Sequence, residues 1–159
     1  MASVVPIILA GGVGARLWPV SRKSCPKQFA ALIGGFSLFQ QSVLRVQGGG
    51  FVKTLIVTSE EYRFLVSQQL NDLGVDADIV LEPEGKNTAP AILAAAMISQ
   101  KLETDSLLLV IPSDHYIPDT KVFEETVAEG IATASRGGVV TFGVKPSRAE
   151  TGYGYIEIV

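Results

Sequence analysis

Five short apolar runs, separated by stretches with helical features, constrain the fold of this chain more than any other property of its sequence. Most of them are continuous in Val, Ile and Leu, which is typical of strands covered on both faces of a parallel sheet. The alternation of strands and helices predicts an open, doubly wound α/β fold, with a mostly parallel sheet and helices on both faces. The predicted strands are residues 4–9, 54–58, 77–81, 107–111 and 139–144.

Four helices are predicted between these runs, and one more strand after them. Ser37 begins a capping-box pattern for the first helix. Ser59 is expected to cap the second, which ends at Gly74, and Thr88 to cap an Ala-rich third. Apolar side chains at i, i+4 and i+8 predict the fourth helix from about residue 120 to 135. A last apolar segment, 153–159, is also predicted to be a strand, so the sheet is expected to be incomplete at its C-terminal end.

Length and composition fit one domain, or a large part of one, over residues 1–159. Apolar residues make up 47% of the chain and charged residues 18%, so the chain can bury a sizeable core and is not disordered. No apolar run approaches the ~18 residues of a membrane span, and residues 1–9 lack the features of a signal peptide. Cys25 is the only cysteine, which excludes an internal disulfide and a Cys-based zinc site and favours a reducing cytoplasm.

The charges are distributed unevenly along the chain. Residues 1–59 contain six Lys or Arg and no Asp or Glu, whereas residues 60–159 contain seven basic and all sixteen acidic residues. A basic segment joined to an acidic remainder indicates a bound anion near the N-terminal part. Nucleic acid is a weaker interpretation, because the whole chain is acidic and its basic residues are not interleaved with aromatic side chains that stack on bases.

A glycine-rich segment follows the first predicted strand: Ala10-Gly11-Gly12-Val13-Gly14-Ala15-Arg16. Three glycines allow backbone N–H groups to converge on a phosphate, and the fork-shaped guanidinium of Arg16 suits the same ligand. The segment is neither a Walker A loop, which ends in Gly-Lys-Ser/Thr, nor a dinucleotide fingerprint, because Leu17 and Pro19 interrupt the required pattern. A phosphate loop of another kind is favoured, and a glycine-rich turn with solvated charges is the alternative.

Asp114 follows the predicted strand over residues 107–111, on the side of the sheet where ligands bind in open α/β folds. A carboxylate there suits Mg²⁺, which prefers oxygen ligands and retains several waters; a helix cap or turn cap is the alternative. His115 is the only histidine, and a structural role is favoured for it.

Four motifs, in order along the chain, closely resemble those of sugar-1-phosphate nucleotidyltransferases. The first is the glycine-rich segment continued by Leu17-Trp18-Pro19-Val20-Ser21-Arg22 and Pro26-Lys27-Gln28-Phe29, which is similar to the mannose-1-phosphate guanylyltransferase (GDP-mannose pyrophosphorylase) branch. The others are Glu82-Pro83-Glu84-Gly85-Lys86-Asn87-Thr88-Ala89-Pro90, Pro112-Ser113-Asp114-His115 and Thr151-Gly152-Tyr153-Gly154-Tyr155-Ile156. The resemblance spans nearly the whole chain and implies the N-terminal, nucleotide-binding part of a Rossmann-like nucleotidyltransferase fold.

The resemblance implies transfer of GMP from GTP to mannose 1-phosphate, with GDP-mannose and pyrophosphate as products and Mg²⁺ as cofactor. The implied catalytic residues are Arg16, Lys27 and Asp114, with Asp114 also binding the metal. The implied nucleotide-binding residues are Ala10, Gly11, Gly12, Gly14, Arg16, Lys27, Glu82, Pro83, Asn87, Thr88 and Ser113. The implied sugar-binding residues are Gly152, Tyr153 and Gly154, for which a tight turn before a strand is the alternative.

Glu82 offers a physical reason for choosing guanine. It directly follows the predicted strand over residues 77–81 and therefore lies on the ligand side of the sheet. An ionised carboxylate only accepts hydrogen bonds, and guanine presents two neighbouring donors, N1–H and N2–H, whereas adenine presents a lone pair at N1. A solvated loop acid is the alternative for Glu82.

Two other functions stay open at this point. One is a nucleotidyltransferase for another sugar or base; the other is a truncated or regulatory nucleotide-binding module without turnover. The family's later sugar-phosphate segment and second metal-binding aspartate have no counterpart in this sequence, so the activity of this chain alone stays open. The expected partners are GTP and mannose 1-phosphate, with neither nucleic acid nor a membrane, and a homo-oligomer is left open.

Overall fold

A computed structural model describes residues 3–12, 25–31, 34–102 and 105–157. Four parallel strands in these ranges form one sheet: β1 Val4–Leu9, β2 Leu55–Ser59, β3 Asp78–Glu82 and β4 Leu107–Pro112. Their order is β3-β2-β1-β4, so the chain turns back after β3 and places β4 beside β1. The predicted parallel α/β sheet is confirmed, and each of these four strands lies within one residue of its predicted bounds.

Four α-helices connect or follow the strands: α1 Leu38–Arg45, α2 Arg63–Leu73, α3 Thr88–Leu102 and α4 Thr120–Ala134. Two short 3₁₀ turns, Lys27–Phe29 and Glu60–Tyr62, precede α1 and α2 respectively. Within the described ranges, no helix combines the length and the apolar character that crossing a membrane would require.

Most of the predicted helix boundaries are confirmed. Ser37 Oγ accepts a hydrogen bond from Gln40 N at 3.0 Å, and Ser37 N donates to Gln40 Oε1 at 3.0 Å, which completes the capping box. Gly74 ends α2 in the left-handed conformation, with φ 65°. Two caps differ from prediction. A 3₁₀ turn separates Ser59 from α2, so its side chain makes no capping bond, and Thr88 is the first residue of α3 rather than its cap.

Helices cover the sheet on both faces, as a doubly wound sheet requires. On one face, α1, α2 and α4 bury residues such as Phe39, Val66 and Val127 in one cluster with β1 and β2. On the other face, α3 contributes Ala91 and Ala95 to a second cluster with the same two strands. The small alanine side chains allow α3 to approach the sheet closely.

The two remaining strand predictions are wrong. Residues 139–144 and the described part of the last segment, 153–157, form no strand. An extended segment becomes a strand by hydrogen bonding to a neighbour, and the described residues provide no such partner for either segment. Val139 and Val144 are accordingly 93% and 90% exposed. The apolar composition of these segments was therefore not sufficient to predict a strand.

Candidate functional site

The carboxyl ends of the four parallel strands lie along one edge of the sheet. Leu9 of β1 is paired in register with Pro112 of β4, and Ser59 of β2 with Glu82 of β3. The strand order reverses between β1 and β4, and ligands in open α/β sheets bind outside the carboxyl ends at such a reversal. The motifs that follow β1, β3 and β4 therefore meet at the edge where a ligand is expected.

The beginning of the glycine-rich segment is held by hydrogen bonds. Ala10 is fully buried; its N–H donates to Val57 O at 2.8 Å, and its carbonyl accepts from Thr58 Oγ1 at 3.2 Å. The carbonyl of Gly12 accepts from Gln28 Nε2 at 2.6 Å. These contacts fix the path of the backbone as it leaves β1, next to the segment that carries Lys27.

Lys27 and Asp114 form an ion pair at the reversal point. Lys27 Nζ lies 2.6 Å from Asp114 Oδ2, and the two side chains are 25% and 33% exposed. Residues 87 positions apart in the chain thus bring a cation and a carboxylate together, each still accessible from solvent. A ligand that carries both phosphate oxygens and a divalent cation could exchange partners with both of them.

Lys27 is positioned by the 3₁₀ turn Lys27–Phe29. The ring of Phe29 is buried against Phe39 and Tyr62, with centroid distances of 5.4 and 5.8 Å. The carbonyl of Phe29 also accepts a hydrogen bond from Gln69 Nε2 at 2.8 Å. The turn is therefore anchored to α1 and α2, and Lys27 projects from a packed support.

Asp114 is positioned by the backbone on both sides of it. Ser113 is buried and its N–H donates to Leu9 O at 3.1 Å, which continues the hydrogen bonding between β1 and β4 by one residue. The carbonyl of His115 accepts from Arg45 Nη2 at 3.2 Å, and the residue itself is exposed. The carboxylate of Asp114 thus extends from a fixed stretch of backbone.

Asp114 also fits a limited role as a metal ligand. The described residues contain no group of three or more His, Cys, Asp or Glu that could bind a metal ion together. Mg²⁺ in nucleotide sites is typically bound by one or two carboxylates, with phosphate oxygens and waters completing the coordination. One accessible carboxylate at the reversal point is consistent with that arrangement.

Glu82 lies against the glycine-rich segment. A Cβ atom added to Gly11 would lie 2.9 Å from Glu82 Oε2, closer than ordinary contact allows. The absence of a side chain at Gly11 therefore leaves space for the carboxylate. Glu82 is the last residue of β3 and is partly buried, and its role in selecting the base stays a prediction.

The rest of the second motif, after Glu82, leads into the beginning of α3. Pro83, Asn87 and Thr88 are exposed. Asn87 adopts a φ of 67°, a left-handed conformation that Asn tolerates better than most residues. The loop between β3 and α3 thus presents these three residues to solvent, and their nucleotide-binding role stays a prediction.

The remaining predicted site residues fall into two groups. Gly14 and Arg16 lie outside the described residues. The predicted sugar-binding segment, Gly152 to Gly154, is exposed, and its hydrogen bonds within the described residues all go to Glu150. The structure therefore brings together Ala10, Gly11, Gly12, Lys27, Glu82, Ser113 and Asp114, while the sugar-binding assignment stays a prediction.

Gln28 and Arg45 support the site, although no role was predicted for either from the sequence. Both are buried, at 3% exposure each, although one is polar and the other charged. Burial lowers the pKa of Arg45 below its ordinary value. The sequence gives little signal for Arg45, because the buried side of α1 also includes the polar residues Gln40 and Ser42.

Comparisons with known proteins agree with this geometry. The family model for nucleotidyl transferases matches residues 5–159. The chain is 49% identical over 158 residues to the xanthan biosynthesis protein XanB of Xanthomonas campestris pv. campestris, covering 99% of this chain and 34% of XanB. It is 43% identical over 155 residues to a mannose-1-phosphate guanylyltransferase of Escherichia coli, covering 97% of this chain and 33% of that protein.

A solved structure gives the same result for the fold. The structure described as mannose-1-phosphate geranyltransferase from Thermus thermophilus superposes with a TM-score of 0.79 at 31% identity, covering 94% of this chain and 43% of that one. The chain spans about a third of the length of the curated relatives it matches. With the family model matching nearly all of its residues, the chain belongs to the nucleotidyl transferase family.

Proposed function

We propose that this chain forms the nucleotide-binding part of an enzyme of GDP-mannose biosynthesis, which transfers GMP from GTP to mannose 1-phosphate and releases pyrophosphate. The observation that supports this most strongly is the Lys27–Asp114 ion pair at the reversal point, beside the glycine-rich segment. A relative described as a mannose-1-phosphate guanylyltransferase supports the choice of substrates. The single cysteine supports a cytoplasmic location.

The reaction requires little covalent help from the protein. An oxygen of the sugar phosphate attacks the α-phosphorus of the triphosphate, and pyrophosphate leaves. Both reactants are polyanions, so the protein must hold them together in line and neutralise their charge. Backbone N–H groups of the glycine-rich segment and Arg16 are proposed to bind the β- and γ-phosphates, where convergent donors suit a concentrated negative charge.

Lys27 is proposed to stabilise the charge that develops at the α-phosphate. In the free protein its ammonium group pairs with Asp114, so nucleotide binding would transfer it to phosphate oxygens. Asp114 would then be available to bind Mg²⁺, which when bound would neutralise phosphate charge. Ser113, which is held at the end of β4, is proposed to orient the ribose.

Glu82 is proposed to select guanine. Its carboxylate lies beside Gly11 at the edge of the sheet and is partly buried. It could accept both N1–H and N2–H of guanine, whereas the N1 lone pair of adenine would face it unfavourably. Leaving a buried polar group unpaired costs about 1–3 kcal/mol, which corresponds to a preference of about 5- to 150-fold. The cost is larger when the group is charged.

The test compares Glu82→Gln with Glu84→Gln in the full-length protein. Glu84 is an exposed acid two residues away, ion-paired with Lys86 at 2.8 Å, so it controls for the loss of one charge. Pyrophosphate release is measured with GTP, ATP, CTP and UTP, each with mannose 1-phosphate and glucose 1-phosphate. We expect the wild type to prefer GTP with mannose 1-phosphate, and only Glu82→Gln to reduce the GTP-over-ATP ratio.

The same assay separates the alternatives. A wild-type preference for another pair of substrates would assign a different sugar or base. GTP binding without pyrophosphate release for any pair would assign a nucleotide-binding module. An unchanged GTP-over-ATP ratio in Glu82→Gln would remove this side chain from base selection.

A further inference from the structure

Arg45, at the end of α1, is a buried charge without an acidic partner among the described residues. Its exposure is 3%, and its guanidinium makes one hydrogen bond and one contact with an aromatic ring within those residues. A guanidinium removed from water without a carboxylate is unfavourable, and an apolar side chain of similar size would often be more stable in its place. Packing alone therefore does not account for an arginine here.

The two contacts of Arg45 connect α1 to the segment that carries Asp114. Nη2 donates to the carbonyl of His115 at 3.2 Å, and the guanidinium carbon lies 5.6 Å from the centre of the Phe123 ring in α4. The ring limits where the guanidinium can lie, and the hydrogen bond fixes the peptide between His115 and Tyr116, one residue beyond Asp114. On the other side of Asp114, Ser113 N–H is bound to Leu9 O.

The same helix supports the other half of the ion pair. Phe39 of α1 packs against Phe29, whose 3₁₀ turn begins at Lys27. One helix is therefore connected at two points to the residues that hold Lys27 and Asp114 at 2.6 Å. A change at the Arg45 end would displace Asp114 relative to Lys27 without touching either side chain.

We propose that Arg45 is a positioning residue, which holds the His115 carbonyl so that the Asp114 carboxylate is directed at the metal–triphosphate complex. This rests on the proposed function only in assigning Asp114 to Mg²⁺. The positioning role of Arg45 differs from a packing role in one measurable way. Removing the guanidinium should weaken the contribution of Mg²⁺ to nucleotide binding while the protein stays as stable as before.

The experiment uses Arg45→Met and Arg45→Lys in the full-length protein, with Arg63→Met as a matched control. Arg63 also contacts an aromatic ring, that of Phe64 at 4.4 Å, and pairs with Glu60, but it is exposed at the start of α2. Binding of a fluorescent N-methylanthraniloyl derivative of GTP is titrated with excess EDTA and with saturating Mg²⁺. The ratio of the two dissociation constants measures the gain that Mg²⁺ provides, and thermal melting measures stability.

In Arg45→Met we expect the Mg²⁺-dependent gain to fall about tenfold, in the range that supporting residues of metal ligands show. Affinity in EDTA should stay within about twofold of wild type, and the melting temperature should not fall, because an uncompensated buried charge has been removed. Arg45→Lys should be intermediate, since an ammonium can donate to one carbonyl but lacks the planar fork. Arg63→Met should match wild type.

Several results would overturn the proposal. One is a folded Arg45→Met variant in which Mg²⁺ increases nucleotide affinity as much as in wild type. Another is an Arg45→Lys variant whose Mg²⁺-dependent gain is as low as that of Arg45→Met. The third is a wild-type protein whose nucleotide affinity does not change with Mg²⁺. If Arg45→Met does not fold, a wild-type gain in Arg45→Lys overturns it. Guanylyl transfer is not needed for these readouts, so a protein that binds nucleotide without turnover would refute the proposed function and leave this inference standing.

Discussion

Replacing Gly11 by alanine perturbs the proposed guanine site through one methyl group. Its carbon would lie 2.9 Å from Glu82 Oε2, whereas ordinary contact begins at 3.4 Å, so the carboxylate must move by about 0.5 Å. The next atom, Ser59 N, would lie 3.7 Å away, which is ordinary van der Waals contact, and Gly11 does not have a positive φ. Because the obstructing atom is the end of a flexible side chain, we expect the stability of the fold to change little.

The effect on base selection should be larger than the effect on stability. A shift of about 0.5 Å would stretch a 2.9 Å hydrogen bond beyond useful length, and a hydrogen bond to a charged group contributes about 1.5–3 kcal/mol. The ratio of kcat/KM for GTP to that for ATP should therefore fall about ten- to a hundredfold. Steady-state pyrophosphate release with each triphosphate measures it.

Gly130→Ala is the control for crowding alone. Gly130 lies on α4, and a Cβ there would lie 3.2 Å from side-chain atoms of Val140 and Phe142. Because this Cβ would not contact Glu82, base selection should not change. Gly11→Ala should also add nothing to Glu82→Gln when the two are combined, because both act through the same carboxylate. A wild-type GTP-over-ATP ratio in Gly11→Ala, or full additivity in the double variant, would refute the reasoning.

Three further predictions concern single residues. Lys27→Ala should lower kcat by about a hundredfold or more while raising the dissociation constant for GTP much less, because the charge is needed most in the transition state. Steady-state kinetics measure this, with Lys53→Ala as an exposed control, and a normal kcat would remove Lys27 from the mechanism. Asp114→Asn should abolish Mg²⁺-dependent turnover without unfolding the protein, which a Mg²⁺ titration beside a circular-dichroism melt would show; retained metal dependence would contradict the assignment. Ser37→Ala should lower the free energy of unfolding by about 1–2 kcal/mol through loss of the capping box, and an unchanged urea midpoint would contradict it.

The parts of the fold that the sequence predicted correctly depend on local patterns. The run over residues 4–9 is continuous in apolar residues because β1 is central in the sheet and covered on both faces. Ser37 and Gln40, three residues apart, each accept a hydrogen bond from the backbone N–H of the other. The position of Asp114 and Glu82 after strands also predicted their place at one edge, since parallel strands end on the same side.

The parts that the sequence did not predict depend on distant partners. The segment at 139–144 has the composition of a strand, but pairing requires a neighbour that local composition does not reveal. The hydrogen bonds from Arg45 to His115 and from Gln28 to Gly12 join residues 70 and 16 positions apart. No periodicity encodes such contacts.

The central claim is guanylyl transfer to a sugar phosphate, and isotope transfer tests it most directly. The full-length protein is incubated with mannose 1-phosphate, Mg²⁺ and GTP labelled with ³²P at either the α- or the γ-position, and the products are separated by chromatography. The proposed function predicts that the α-label appears in GDP-mannose and the γ-label in pyrophosphate, both dependent on mannose 1-phosphate. Release of the γ-label as inorganic phosphate with no labelled sugar nucleotide, or no transfer of the α-label, would contradict it.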